Sequence, residues 1–179
     1  MAEIRFRPAR LADVPALHRL VESAYRGDSA RGGWTHEADL LETPRTSAET
    51  LSAAVENPRE AILLAFEGER LAGCVQVSRI ADDAGYFGLL TVDPERQAAG
   101  LGRQLIAAAE GWAAEQWGAR RMELSVVSVR TELIAYYERR GYRLTGERRP
   151  FPVEVDPPLT LLVMEKRLPT RPPGPRPRG

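Results

Sequence analysis

The sequence predicts an α+β fold: a mixed sheet of six or seven strands with helices on both faces. Two observations predict it. In order, the 179 residues read as strand, two or three helices, three strands, helix, strand, helix and two strands, with no internal repeat. The stretch 86–114 then organises the rest, because it passes from an apolar strand through a sharp turn and a glycine-containing loop into a long amphipathic helix.

Residues 3–8 alternate polar and apolar side chains, as an edge-type first strand does. Asp13 is placed to cap the next helix, with Pro15 in its first turn and Val14, Leu17, Leu20, Val21 and Tyr25 as its apolar stripe. Residues 26–35 form a loop rich in Gly, Ser and Arg, and 37–41 a short helix. Ser47 opens a helix over 47–55 that stops at Asn57-Pro58. Residues 61–66 and 71–80 make a hairpin through the turn 67–70, and 81–85 is a second turn. Tyr86, Phe87, Leu89, Leu90 and Val92 suit a largely buried strand, which Asp93-Pro94 ends because proline offers no N–H to a ladder.

Leu101, Leu105, Ile106, Ala109 and Trp112 recur at helical spacing after that turn. A strand over 121–127 follows, then a helix over 132–140 closed by Gly141. Strands at 142–146 and 159–166 flank a proline-rich loop at 150–158. One domain over 1–168 is expected, with 169–179 a disordered Pro/Arg-rich tail.

Composition narrows the function classes. Lys plus Arg and Asp plus Glu each total 25, so a formal net charge of zero gives no electrostatic case for nucleic acid or an anionic membrane as partner. The single cysteine, Cys74, has no internal disulfide partner and lies in an apolar run, as a buried small hydrophobe does. No apolar segment reaches membrane-spanning length and the N-terminus lacks a signal-like apolar region, so a cytoplasmic protein is expected. No His/Cys/Asp cluster has metal-ligand spacing, so no metal site is expected.

The chemistry concentrates in two stretches. In the first, Gln97-Ala98-Ala99-Gly100-Leu101-Gly102-Arg103 brings backbone N–H groups to the first turn of a helix. Such groups lack intrahelical acceptors and sit at the positive end of the macrodipole, which favours phosphate. Gly100 and Gly102 take side chains away where a pyrophosphate would approach. With Val92-Asp93-Pro94 before it, the string resembles the acyl-CoA pyrophosphate loop of the GNAT superfamily of N-acetyltransferases, [RQ]-x-x-G-x-[GA]. Ala98 stands where relatives commonly carry glycine. The second stretch, 129–142, resembles the family's V-N-x-x-A-x-x-[FY]-Y-x-x-x-G-[FY]. Tyr136, Tyr137, Gly141 and Tyr142 match in register, whereas Arg130 and Leu133 replace the usual asparagine and alanine. The resemblance covers residues 3–168.

It implies the GNAT-type, mostly antiparallel sheet and transfer of an acetyl group from acetyl-CoA, as cosubstrate, to a primary amine. In relatives the organising strand splays from its neighbour. Here that implies main-chain contacts to pantetheine from Leu90, Thr91 and Val92, with the Val92 N–H polarising the thioester oxygen. The segment 97–103 would hold pyrophosphate, and Arg130 would replace the asparagine contact or reach a phosphate. Tyr137 matches the general acid, and a phenol, whose ordinary pKa is about 10, is protonated at neutral pH; Tyr136 is expected in the core.

The general base stays open among Glu123, Glu37, His36 and a water chain, each side chain having a surface role as its alternative; His18 reads as packing or surface. For the acceptor, the resemblance points to the loops holding Tyr25, Arg26, Arg31, Trp34 and Glu37 and those holding Arg148, Arg149 and Phe151. A small-molecule amine or amino acid is the first expectation and a peptide or protein N-terminal amine the second. A non-catalytic acyl-CoA-binding regulatory module is the alternative to an enzyme. A homodimer through the C-terminal strands is a further option that the resemblance leaves open.

Overall fold

The computed structural model describes residues 3–26, 46–95, 100–151, 156 and 158–169, with backbone only at 25 and 26. The expected loop and short helix of 26–41 and the tail from 170 therefore lie outside the described residues, as do Gln97, Ala98 and Ala99.

The strands are β1 (Ile4–Pro8), β2 (Glu60–Glu67), β3 (Arg70–Ala81), β4 (Ala84–Val92), β5 (Arg121–Val127), β6 (Arg143–Pro150) and β7 (Thr160–Arg167). The helices are α1 (Val14–Arg26), α2 (Ala48–Glu56), α3 (Leu101–Trp117) and α4 (Thr131–Arg139). One seven-stranded sheet results, in the order β1-β2-β3-β4-β5-β7-β6. Among the described residues only β4 and β5 run parallel, joined through α3, since parallel neighbours need a crossover. The expected α+β fold with helices on both faces is what forms.

Two apolar layers flank the sheet. Leu63, Val75, Phe87, Met122, Leu124 and Met164 pack with Leu101, Leu105, Ile106, Ala109 and Ala113 of α3 and Leu133 of α4. On the other face Ile62, Leu64 and Cys74 pack with Leu17, Val21 and Ala24 of α1 and Leu51 and Ala54 of α2. Period-2 alternation in β2 thus serves two cores at once, with Leu63 on one face and Ile62 and Leu64 on the other.

Local sequence explains most boundaries. The Ser47 hydroxyl accepts from the Thr50 N–H at 3.1 Å, capping α2 as expected. Asp13, by contrast, caps backwards: it lies in a 3₁₀ turn (Leu11–Asp13) before α1, and its carboxylate accepts from the Arg10 N–H at 2.8 Å. Arg7 holds the same carboxylate with both guanidinium nitrogens, at 2.8 and 2.9 Å. The turn before β4 is shorter than expected, and β6 runs on to Pro150. Flanked by β5 and β6, β7 is internal, so the C-terminal edge is β6.

At the end of α4, the Gly141 N–H donates to the Glu138 carbonyl and the Tyr142 N–H to the Tyr137 carbonyl, both at 3.0 Å. That pair of hydrogen bonds closes the helix through a left-handed Gly141 at φ 100°. Among the described residues no helix is long and apolar enough to cross a membrane.

Candidate active site

β4 is irregular where the apolar pattern suggested a plain buried strand. Along β3, Cys74 pairs with Thr91 and Gln76 with Gly88, so Leu89 and Leu90 together oppose Val75. This is a bulge, and Leu89 takes a left-handed φ of 53°, uncommon for a side chain branched beyond Cβ. The bulged Leu89 carbonyl accepts from the Thr91 hydroxyl at 2.9 Å and from the Cys74 thiol at 3.7 Å. Thr91 is accordingly buried, although polar. Tyr86, Leu89 and Leu90 are only partly buried, which corrects the expectation of a largely buried strand.

Along its other edge β4 pairs with β5 only through Ala84–Arg121, Gly85–Met122 and Tyr86–Glu123. Beyond these registers, among the described residues, 87–92 and 124–127 share no ladder. The sheet is split there. Side chains, not backbone, meet at the fork: the Tyr86 and Ser125 hydroxyl oxygens are 2.5 Å apart.

The open end of the split lies at Val92, where the chain turns towards α3. Asp93 builds that turn. Its N–H donates to the Ala72 carbonyl at 2.8 Å, and its carboxylate accepts from the Glu95 N–H at 3.1 Å. Arg70 clamps the turn from β3, donating to Asp93 at 2.7 Å and Glu95 at 3.0 Å. Helix α3 then starts from Gly100, its N-cap, at a left-handed φ of 76°. A Cβ on Gly100 would stand 3.1 Å from a guanidinium nitrogen of Arg103, which folds back over it. A Cβ on Gly102 would stand 3.3 Å from the Tyr136 hydroxyl and 4.0 Å from Val92. The free N–H groups of this first turn, with Arg103 beside them, favour an anion.

Tyr136 therefore does more than pack. Its ring lies against the core, Arg140 stacks over it at 5.0 Å and its hydroxyl faces the start of α3. Burial raises its pKa, against the pull of the arginines around it. Tyr137 meets β4 at the first residue past the paired registers, with ring centroids 6.1 Å apart edge to face with Phe87. It also contacts Tyr136 at 5.5 Å and Tyr142 at 6.3 Å. Tyr142 is anchored in turn, donating to Glu110 at 2.8 Å, and Lys166 joins the same carboxylate at 3.0 Å.

Other expected site residues separate. Glu123 is 8% exposed and turns away from α3, because Met122 and Leu124 take that face. It stands in a cross-strand row Glu60–Ser78–Tyr86–Glu123–Glu165, with Arg121 at 3.4 Å. Arg149 shares this face through its pairing with Leu161 and bonds Glu147 at 3.1 Å. Phe151 is partly buried just past β6. Arg130 is buried at the N-cap of α4, donating to Glu132 at 2.5 Å. His18 lies on α1, 3.8 Å from Glu22. Trp34, His36, Glu37 and Arg31 lie outside the described residues, as do the side chains of Tyr25 and Arg26. Among the described residues no group of three His, Cys, Asp or Glu is placed to hold a metal ion.

Sequence reading missed three contributors: Arg70, the Tyr86–Ser125 pair and Gly73. A Cβ on Gly73 would stand 2.8 Å from the Thr91 carbonyl and 2.9 Å from Leu105, so only glycine lets α3 and the end of β4 close over β3. Its position in an apolar strand was the available signal.

A split parallel pair ending beside a glycine-capped helix is the arrangement that the family model for the acetyltransferase (GNAT) family spans, and that model matches residues 15–142. The chain belongs to the GNAT family. It is an acyltransferase. No curated protein sequence matches it, but solved GNAT structures do so in fold. The ribosomal-protein-S18-alanine N-acetyltransferase of Escherichia coli superposes with a TM-score of 0.73 at 18% identity, over 97% of this chain and 99% of that one. A Salmonella typhimurium protein, yncA, described as a putative acetyltransferase with its cofactor acetyl-CoA, gives 0.70 at 20%, over 98% and 99%. A spermidine N-acetyltransferase SpeG chimera from Vibrio cholerae and hSSAT gives 0.71 at 18%, over 93% and 96%.

Proposed function

We propose that this GNAT protein moves an acetyl group from acetyl-CoA to a primary amine on a small molecule or amino acid, with Tyr137 as general acid. The observation that carries this reading is the split between β4 and β5, which opens at Val92 beside the Gly100 start of α3. The residues present fit such a donor. Gly100 and Gly102 leave the first turn of α3 bare, Arg103 supplies charge, and Leu90, Thr91 and Val92 edge the opening.

The donor brings an activated thioester carbonyl. The transfer forms one amide N–C bond, breaks one C–S bond, removes a proton from the amine and returns one to sulfur. The chain's own tasks are thus positioning, polarisation and proton handling. Both reactants held in one cleft gain the advantage of an intramolecular reaction. The Val92 N–H polarises the carbonyl oxygen, and the Tyr137 hydroxyl donates the proton that sulfur needs. Phe87 and Tyr142 fix the Tyr137 ring from two sides. Glu123 is the proton acceptor we assign among the described residues, since it faces the sheet surface opposite α3 at the fork. The amine would approach over that surface, next to Tyr86, Ser125 and Arg149.

The test is acetyl-CoA-dependent thiol release across amines, amino acids and short peptides, with Tyr137→Phe beside the parent. Turnover on a small amine that falls about 100-fold in the variant, with CoA affinity within a few-fold, is expected. Unchanged turnover removes Tyr137 from the acid role. Tight CoA binding with no turnover on any acceptor overturns the enzyme reading in favour of a binding module.

A further inference from the structure

We propose that Glu110 of α3 and Lys166 of β7 are positioning residues for Tyr137, acting through Tyr142. Their ion pair braces the tyrosine ring against β4 and keeps the charge behind it balanced. The inference rests on reading Tyr137 as the general acid, and it gives that acid a supporting network drawn from two further elements.

Tyr137 and Tyr142 are tied twice. The Tyr142 N–H donates to the Tyr137 carbonyl at 3.0 Å, and their rings meet edge to face at 6.3 Å. Phe87 touches both, at 6.1 Å and 5.8 Å, so the three rings form one cluster between β4 and the end of α4. Tyr142 is 1% exposed, and its hydroxyl reaches out of that cluster to donate to Glu110 at 2.8 Å. Lys166 completes the network. Its ammonium lies 3.0 Å from the same Glu110 oxygen, 3.2 Å from the other, and 5.7 Å over the Tyr142 ring. The Lys166 stem passes Gly141 so closely that a Cβ there would stand 3.3 Å from it. The glycine that ends α4 thus also makes room for the lysine.

Packing alone would not select these groups. Lys166 follows Met164 on the side of β7 that faces α3, where its register partner is the buried Met122. The Lys166 and Glu110 side chains are only 26% and 17% exposed. A charge sheltered to that degree is costly alone and tolerable when paired. The buried Tyr142 hydroxyl needs an acceptor, which Glu110 supplies. Charge balance matters because Tyr137 must keep its proton until sulfur takes it. An unpaired cation behind the cluster favours the phenolate, and an unpaired anion favours the phenol. The other charged groups around the tyrosines are Arg103 of α3 and Arg139 and Arg140 of α4, which gather about Tyr136. Arg130 and Glu138 lie on α4 as well, and β4 carries no charge. All of these stay constant when the ion pair is altered.

The experiment follows kcat and the KM for acetyl-CoA against pH, on the full chain with an amine that supports turnover. The alkaline limb of kcat marks loss of the acid's proton. In Lys166→Met, Glu110 remains as an unpaired anion, and the limb should move up by about half a unit to one unit. In Glu110→Gln, Lys166 remains as the charge and the limb should move down. That shift should be smaller, because an unpaired ammonium itself titrates near about 10.4. The double variant should return the limb to the parent's position. Both single variants should lose about three- to tenfold in kcat at neutral pH, with KM for acetyl-CoA within about threefold. Limbs that move the same way, or not at all, in folded variants overturn the network and leave Tyr137 as the acid. A limb that persists in Tyr137→Phe overturns the acid reading and the network with it. Should a single variant fail to fold, Tyr142→Phe keeps the ion pair and cuts its link to the cluster. It should lower kcat about threefold or more with the limb unmoved, and a parent-like kcat there overturns the proposal.

Discussion

The two edges of β4 are built differently. Against β3 it pairs along its whole length, from Ala84–Ala81 to Val92–Gly73, and absorbs two register shifts, one at Leu89–Leu90 and one between Arg79 and Ala81. Against β5 it pairs for three registers and parts. The strand does not lose its ladder because its residues are poor strand formers, since Leu89, Leu90 and Val92 are as apolar as any in the sheet. Past its open end the chain turns at Asp93, clamped by Arg70, and α3 starts from Gly100. The lesson is that the closed edge supplies the stability and the open edge the candidate site. Each can be broken separately.

Breaking the closed edge should have the largest effect. Gly73→Val puts a side chain where a Cβ already meets the Thr91 carbonyl at 2.8 Å and Leu105 at 2.9 Å. Neither neighbour is the loose tip of a flexible surface chain. Overpacking of this kind costs typically 1–3 kcal/mol, and with backbone as the obstacle we expect about 3 kcal/mol or more. Against a total of about 5–15 kcal/mol, that should lower the melting temperature by many degrees and with it every ligand affinity. A variant with parent-like melting would show that α3 and β4 sit less tightly on β3 than these distances require.

Breaking the open edge should leave the fold standing. At Gly100 a new Cβ meets only the Arg103 guanidinium, at 3.1 Å, which has room to swing away. The φ of 76° costs a non-glycine residue about 1–2 kcal/mol, more for a β-branched one. Gly100→Val should therefore melt several degrees below the parent but above Gly73→Val, while binding CoA about 100-fold more weakly, a difference of about 2.7 kcal/mol. Asparagine, which tolerates a left-handed backbone, should fall between them. Parent-like CoA binding by Gly100→Val would remove the α3 turn from the donor site.

The same division explains what was legible in the sequence. The strand over 121–127, the Ser47 cap, the Gly141 stop and the glycines opening α3 all appear in the structure, because each rests on a local rule. The two hallmark stretches gave the family for the same reason: both are contiguous. The bulge at Leu89 was hidden, since it arises from Thr91 and Cys74 turning to one carbonyl across two strands. Asp13 was misplaced because its partners, Arg7 and Arg10, precede it where a forward cap was expected. The pairing of Tyr86 with Ser125 spans 39 positions and depends on the strands parting at one register. The residues we propose for the acceptor side come from separate strands, so no local pattern announces them.

Cys74 sharpens the comparison by titration. It lies on β3 beneath the bulge, fully buried, and burial pushes its thiol up to about 12. An unfolded cysteine titrates near 8.5. The folded protein thus holds a proton that the unfolded chain releases first. The stability tied to the neutral thiol is complete below about pH 8.5 and declines as pH rises towards the folded value, by about 1.4 kcal/mol per pH unit. Between pH 8 and 10 the parent should lose about 2 kcal/mol more than Cys74→Ala, read from urea midpoints. Native Cys74 should also resist alkylation until the protein unfolds. Parallel pH profiles, or rapid alkylation of the folded protein, would mean that solvent reaches the β3 edge of the bulge, and the two edges of β4 would then differ in pairing but not in dryness.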